Sequence, residues 1–165
     1  MNTISDQLVQ EARTWVGTPY HHQARVKGVG VDCANLIAGI AEACGYEPVI
    51  LQPYSTQWHL HNSEEKLLNI LESYGCTATT LEEQFGNYEG SIITFKFGHV
   101  SSHVGIFTSP NTFVHADVRI GKVTEVSLNG QWANHFSGIY KLPERTIKND
   151  NSKLQNNGHS ASSST

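Results

Sequence analysis

Residues 91–126, SIITFKFGHVSSHVGIFTSPNTFVHADVRIGKVTEV, decide the fold class. Their hydrophobic residues occur in short runs rich in Val, Ile, Thr and Phe, and Gly, Ser, Pro and Asn interrupt the runs. Such a pattern indicates short strands joined by turns. It predicts strands over 91–97, 103–107, 112–116 and 122–126, with Ile139-Tyr140 as a last one.

Upstream of this stretch, the hydrophobic residues recur at helical spacing. Three helices are predicted, with bounds set by capping and stop residues: a cap at Ser5 or Asp6 and an end at Gly17, a cap at Asp32 and an end at Gly45, and a start at Ser63 and an end at Gly75. Helices first and strands second predict an α+β domain, in which the N-terminal helices pack on a central antiparallel sheet.

The length of 165 residues fits one domain with its own core, which we place at residues 1–145. Residues 146–165 are rich in Asn, Ser and Lys and cannot bury enough apolar surface, so they are predicted to form a disordered tail. The net charge of -4, without a Lys/Arg cluster, argues against a nucleic-acid partner and against a basic membrane-binding face.

Residues 1–6 have neither a positive n-region nor an apolar run, so no secretory signal is expected. No stretch is long enough for membrane insertion. We therefore expect synthesis in the cytoplasm and action elsewhere only after delivery by lysis, injection or a particle.

The chain contains three cysteines, and only the position of Cys33 suggests a catalytic thiol. It directly follows the predicted N-cap Asp32, where first-turn N–H groups and the helix dipole favour a thiolate. The same N–H groups could hold the oxyanion of a tetrahedral intermediate. The alternative is a small buried hydrophobe, which fits Cys44 well. Cys76 follows a helix stop and has no evident partner; the odd count leaves at least one thiol free.

The candidate base and its orienting residue are His103 and His115. If the turn between their strands centres on Ser109, the two histidines pair directly, with Cβ atoms roughly 5 Å apart. His103 could then activate Cys33 while His115 orients the His103 ring. A slip of the register by one residue would break this pairing, and incidental placement of both histidines is the alternative.

Three further features carry weaker signals. Tyr20 follows a turn, and its hydroxyl could donate a hydrogen bond to a thiolate or oxyanion, or simply lie in water. His59 and His61 have a spacing that could bind metal, but no cysteine or carboxylate partner lies nearby, so no metal site is predicted. Asp117 could serve as a third polar group if its strand continues that far.

Several segments resemble NlpC/P60 peptidases. Trp15–Tyr20 and Gly30–Ile37 resemble the nucleophile region of that family, whose usual form is G-T-P-Y followed by D-C-S-G-L. His103–Phe107 is similar to the H-V-G-I-Y strand with the base histidine, and Phe113–Ala116 to the I-H-A segment with the orienting histidine. The order and intervals agree, and the resemblance covers residues 8–142.

The resemblance implies a papain-like α+β fold and a thiol peptidase that needs no metal or cofactor. It implies peptidoglycan stem peptides as the substrate, commonly cut after γ-linked D-glutamate. It assigns the nucleophile to Cys33, the base to His103, the orienting role to His115 and an oxyanion or thiolate hydrogen bond to Tyr20.

A closer resemblance is to the phage-type branch of the family, which also occurs in gene-transfer-agent particles. Pro19–Ala24, Lys27–Gly30 and Tyr54-Ser55 followed by Trp58 carry it. This branch implies phage-tail or particle proteins as partners and delivery of the enzyme to the periplasm or cell wall.

Two positions depart from the family pattern. Ala34-Asn35 replaces the common Ser-Gly after the cysteine, and Tyr88–Ile92 stands where the family often has P-G-D. Neither change removes a catalytic group. The expected function is therefore hydrolysis of stem peptides, with acyl transfer on the same scaffold and a non-catalytic tail component as alternatives.

Overall fold

The computed structural model describes residues 2–57, 63–84 and 86–145. The predicted tail at 146–165 lies outside the described residues, as do Trp58, His59 and His61. Within the described ranges, no helix has both the length and the apolar character needed to cross a membrane.

The domain contains five helices and eight strands within these ranges. In chain order they are α1 Ile4–Thr14, β1 Arg25–Val26, β2 Gly30–Val31, α2 Cys33–Ala43, α3 Lys66–Ser73, β3 Thr77–Thr79, α4 Leu81–Gln84, β4 Ile92–Lys96, β5 Ser101–Ser109, β6 Thr112–Asp117, β7 Lys122–Ser127, α5 Gly130–His135 and β8 Phe136–Lys141.

The first helix begins earlier than predicted. Thr3, not Ser5 or Asp6, is the N-cap of α1, and its side chain and that of Asp6 form a reciprocal capping box. The sequence placed Asp6 in the cap itself, whereas Asp6 occupies the third helical position and binds back to the Thr3 backbone. Leu8 and Ala12 then face the core.

The second helix confirms the predicted cap. Asp32 is the N-cap of α2, and its side chain accepts from the Asn35 backbone N–H at 2.9 Å. The helix is buried almost all round from Asn35 to Ala41, as its apolar composition predicts. Gly45, at φ +86°, ends it in a left-handed conformation that glycine adopts without strain.

The third helix, α3, starts at Lys66, three residues after the predicted start. Its N-cap Glu65 makes no capping bond, because the Glu65 carboxylate instead accepts from the Ser101 backbone N–H of β5 at 2.9 Å. This tertiary contact is not visible from local sequence.

The central sheet is antiparallel and has the order β3-β8-β4-β5-β6-β7, as expected for an α+β domain. One face carries Ile92, Val104 and Ile106 and packs on α1, α2 and α3. The other face carries a second cluster around Phe95 and Trp132 and lies under α5.

The register of the central hairpin differs from the prediction. Ile106 pairs with Val114 and Phe107 with Phe113, and an irregularity between Phe107 and Ser109 moves the turn. When this register is extended along the two strands, His115 lies opposite Gly105 and not opposite His103. The predicted direct pairing of His103 with His115 is therefore wrong by two residues. A shift of two preserves the face, since side chains alternate with period two.

Candidate active site

The Cys33 side chain lies at the N-terminus of α2, partly exposed, against the middle of β5. Backbone N–H groups of Val104, Ala34 and Cys33 itself are directed at its sulfur. Burial and the negative charge of Asp32 nevertheless raise the pKa of the Cys33 thiol to about 12. Loss of hydration and the Asp32 charge thus oppose the thiolate, whereas the backbone N–H groups at the helix N-terminus favour it, as predicted.

Asp32, next to Cys33 in the chain, is buried, and both of its carboxylate oxygens accept hydrogen bonds. Its Oδ1 accepts from the backbone N–H and the side-chain amide of Asn35 at 2.9 and 3.0 Å. Its Oδ2 accepts from the Gln23 backbone N–H at 2.7 Å and from the Tyr54 hydroxyl. The His22 ring lies 3.8 Å away. A buried carboxylate with this many donors fixes the first turn of α2 and the loops around it.

Sequence reasoning missed this network. Gln23 adopts φ +61°, a strained conformation for a residue other than glycine, and its amide donates to the Tyr54 carbonyl at 2.7 Å. Asn35 accepts from Arg25 at 2.9 Å and donates to the Tyr54 hydroxyl at 3.2 Å. A cavity of about 340 Å³ lies beside this network, lined in part by Ile50. In the sequence, the only features that pointed to this network were Tyr54, in a phage-type segment, and Asn35, which departs from the family pattern.

The two candidate histidines are in contact. Nε2 of His103 and Nδ1 of His115 are 2.8 Å apart, so the predicted contact is present although the predicted register is not. If His103 Nε2 donates this bond, Nδ1 of His103 keeps a free lone pair. His115 Nε2–H then points at the Thr124 hydroxyl at 3.4 Å.

Both imidazoles are neutral at rest. Burial, and then the neighbouring His115, lower the pKa of His103 to about 3. Burial also lowers the pKa of His115, to about 4. A neutral His103 can accept a proton, which a general base requires.

An aromatic cluster encloses the pair. The Trp132 indole stacks on the His103 ring, with centroids 5.5 Å apart, and meets the His115 ring edge-on at 4.6 Å. Phe95 and Phe97 also touch His103. Trp132 lies on α5, a short helix without a strong sequence period, and it was missed as a site residue.

Tyr20 lies close enough to Cys33 for the two side chains to interact electrostatically. Its backbone N–H donates to Gly121 O at 2.8 Å, and it bridges to Val31 just before α2. Burial, then the charges of Cys33 and Asp32, raise the pKa of Tyr20 to about 12. The hydroxyl therefore stays protonated and available as a donor.

The structure thus places the four predicted site residues in two groups on either side of β5: Cys33 and Tyr20 on the side of α2, and His103 and His115 on the side of Trp132. Cys33 faces the amide of Val104, the residue directly after His103, and Tyr20 is within electrostatic reach of the thiol. The catalytic roles of these residues stay predictions. In the described part of the chain, no three His, Cys, Asp or Glu side chains are grouped so as to hold a metal ion.

Solved structures share this arrangement of helices and sheet. A protein of Staphylococcus aureus subsp. aureus Mu50, described as similar to lipoprotein of the NLP/P60 family, aligns with a TM-score of 0.60 and 20% identity over 86% of this chain and 42% of its own. The NlpC/p60 domain of the peptidoglycan hydrolase SagA aligns with a TM-score of 0.59 and 18% identity over 83% and 97%. The chain has the NlpC/P60 fold.

The peptidoglycan hydrolase RipB of Mycobacterium tuberculosis has this NlpC/P60 fold too, with a TM-score of 0.55 and 18% identity over 86% of this chain and 66% of its own. The chain spans less than half of the Staphylococcus aureus protein and 40% of a Bacillus cereus ATCC 10987 protein of the NlpC/P60 family. No protein-family model and no curated protein sequence matches the chain.

Proposed function

We propose that the protein is a cysteine peptidase that hydrolyses amide bonds in the peptide stems of bacterial peptidoglycan. The observation that carries the proposal is the 2.8 Å hydrogen bond between His103 and His115, on the strand whose Val104 amide faces Cys33. The NlpC/P60 fold supports the substrate class, because SagA and RipB are described as peptidoglycan hydrolases.

The reaction begins with attack of the Cys33 sulfur on the carbonyl carbon. Because the raised pKa of Cys33 and the lowered pKa of His103 leave both groups neutral, the proton moves to His103 during the attack and not before it. The S–H bond breaks as the S–C bond forms, and Nδ1 of His103 takes the proton.

The oxyanion that forms is held by groups around the nucleophile. The backbone N–H groups of Cys33 and Ala34 at the start of α2 are oriented towards the sulfur. The Tyr20 hydroxyl, kept protonated by its raised pKa, is the side-chain donor for this charge. Donors fixed before the reaction stabilise the developing charge without reorganisation.

The second half of the reaction returns the enzyme to its resting state. His103 gives its proton to the leaving amine, and the acyl group stays on Cys33 as a thioester. Water then attacks the thioester with His103 again as base, and the thiol leaves with the returned proton. His115 and Thr124 hold the His103 ring in one orientation through both halves.

Within the stem peptide, we place the cut at the bond between γ-linked D-glutamate and the diamino acid. We also propose association with a phage tail or phage-like particle, which would deliver the enzyme to the periplasm or cell wall. The support for both is the sequence resemblance, and for the particle it is the phage-type segments Pro19–Ala24 and Lys27–Gly30.

The test is mass spectrometry of purified muropeptides incubated with the wild type, Cys33→Ser and Cys44→Ser. The control Cys44→Ser removes a buried thiol at the far end of α2. We expect new fragments ending in D-glutamate with the wild type and Cys44→Ser, and none with Cys33→Ser. Intact muropeptides with the wild type, or fragments with Cys33→Ser, would refute the proposal.

A further inference from the structure

Asp117 shares the face of β6 with His115. The two residues are two positions apart in the strand, so their side chains project to the same face. When the register set by the pairing of Ile106 with Val114 is extended along β6, Asp117 lies opposite His103 of β5. Asp117 is 3% exposed, and its charge acts on both imidazoles.

Arg119 donates hydrogen bonds to this buried carboxylate from its backbone and its guanidinium. Oδ1 of Asp117 accepts from the Arg119 backbone N–H at 2.8 Å and from its Nε at 3.2 Å, and Oδ2 accepts from Nη2 at 3.0 Å. The guanidinium lies over Trp132 at 5.2 Å and over Phe97 at 6.0 Å, the same rings that touch His103. The carboxylate is therefore fixed beside the histidines and does not replace either of them.

The reaction requires a positive charge on His103 in a place where hydration has been removed. Transfer of the Cys33 proton creates an imidazolium, and burial opposes this charged form. An ionised carboxylate on the same face favours it, whereas the guanidinium of Arg119 disfavours it. The two charges thus act on the histidine pair in opposite directions.

Other ionisable groups surround the pair. Cys33, Asp32 and Tyr20 lie on the side of α2, and His135 on α5 packs on Phe97 at 4.3 Å. Asp32 acts on the thiol and on Tyr20 but is not a source of the shift at either histidine. On β7, His115 meets the uncharged Thr124, and the cation Lys122 is the direct strand partner of Asp117.

We propose that Asp117 is a positioning residue that stabilises the imidazolium form of the His103–His115 pair, and that Arg119 sets the strength of this effect. The inference rests on the proposed role of His103 as the base of Cys33. It adds a fifth group to the four that the resemblance assigns.

The test measures alkylation of Cys33 by iodoacetamide from pH 6 to 9, so it does not depend on the identity of the substrate. The variants are Asp117→Asn and Arg119→Gln. The control is Glu125→Gln, which removes a carboxylate whose strand position pairs with Val114, on the face opposite His115, where it binds Arg13.

We expect Asp117→Asn to slow alkylation at pH 7 about tenfold, since loss of an adjacent opposite charge changes an ionisation equilibrium by at least that factor. Arg119→Gln should accelerate it, and Glu125→Gln should leave it unchanged. An NMR titration of the imidazole Hε1 signals should move in opposite directions in the first two variants, which a purely structural role would not produce.

An unchanged rate in Asp117→Asn, or changes of the same sign in Asp117→Asn and Arg119→Gln, would overturn the inference. If Asp117→Asn does not fold, Arg119→Gln decides alone: an unchanged or slower rate overturns the inference. If the wild type cleaves muropeptides but the alkylation rates of the variants contradict the inference, the peptidase proposal stays intact and only the role of Asp117 is overturned.

Discussion

The imidazole of His103 stacks on the indole of Trp132, with an interplanar angle of 29° and centroids 5.5 Å apart. The same indole meets His115 edge-on, so one side chain of α5 restrains both rings of the pair. Trp132 is buried and belongs to the cluster on the sheet face away from α2. Trp132 therefore contributes to the packing of the core and restrains the orientation of the His103 ring.

Replacement of Trp132 by Phe should lower both kcat and the free energy of unfolding, and the loss of kcat should exceed that of a core variant with equal loss of stability. Trp132→Phe should lower the free energy of unfolding by about 1–3 kcal/mol, a usual range for core changes, because a smaller ring fills the space. It should also lower kcat for muropeptide hydrolysis, since the His103 ring gains freedom. The matched control is Trp15→Phe in the other core, which should cost similar stability and leave kcat unchanged. Equal kcat losses in both variants would argue against the orienting role.

Substitutions at His115 should separate the hydrogen bond from the packing. His115→Ala removes the partner of His103 Nε2, and we expect kcat to fall about 100-fold or more, the scale of acid–base contributions. His115→Asn keeps an acceptor near the same place and should retain more activity than His115→Ala. Steady-state kinetics at pH 7 measures the order of the variants. Activity in His115→Ala equal to that of the wild type would contradict the orienting role.

Acid should destabilise the fold through the buried histidines. The pKa of His115 is lowered to about 4 in the folded protein, below its ordinary value of 6.5. As pH falls below about 6.5, the unfolded chain therefore binds the proton first, and the free energy of unfolding decreases. Each such histidine contributes up to about 1.4 kcal/mol per pH unit.

Urea denaturation of the wild type and His115→Asn between pH 7 and 4.5 measures this dependence. His115→Asn should lose less stability per pH unit than the wild type, because one buried histidine is gone. Parallel curves for the two proteins would show that His115 is not the source of the acid sensitivity.

Removal of the Asp32 charge should make Cys33 more acidic. Asp32→Asn keeps a good N-cap side chain but removes a charge that raises the pKa of the thiol. The pH profile of Cys33 alkylation should therefore shift to lower pH, and stability should fall by about 1–3 kcal/mol as the Tyr54 and Gln23 bonds weaken. Asp6→Asn, at the start of α1, is the control and should leave the profile unchanged. A shift to higher pH in Asp32→Asn would contradict the assigned cause.

Most of the fold could be predicted from the sequence because its signals are local. The change from helical to strand periodicity near Ser91 gave the α+β class, and Asp32 was recognised as a cap from its position alone. The short elements β3, α4 and α5 lack a strong period and depend on tertiary contacts. The sheet register depends on an irregularity after Phe107, which has no clear sequence signature.

The candidate site could be predicted only in part, for a similar reason. Cys33, His103 and His115 stand out by residue type and position, whereas Trp132 and Tyr54 reach the site from distant segments. The effect of burial on the pKa of Cys33 could not be predicted, because helix position is local but burial is a property of the whole fold. The charge balance of Asp117 and Arg119 likewise needs the sheet register.

The central claim is that Cys33 carries the acyl group during hydrolysis, and trapping that intermediate tests it most directly. The wild type is mixed with a γ-D-glutamyl-diamino acid peptide, quenched in acid within the first turnover, and digested for mass spectrometry. We expect a thioester adduct on the peptide that contains Cys33 in the wild type. Released diamino acid without any adduct, together with undiminished release in Cys33→Ala, would contradict the account.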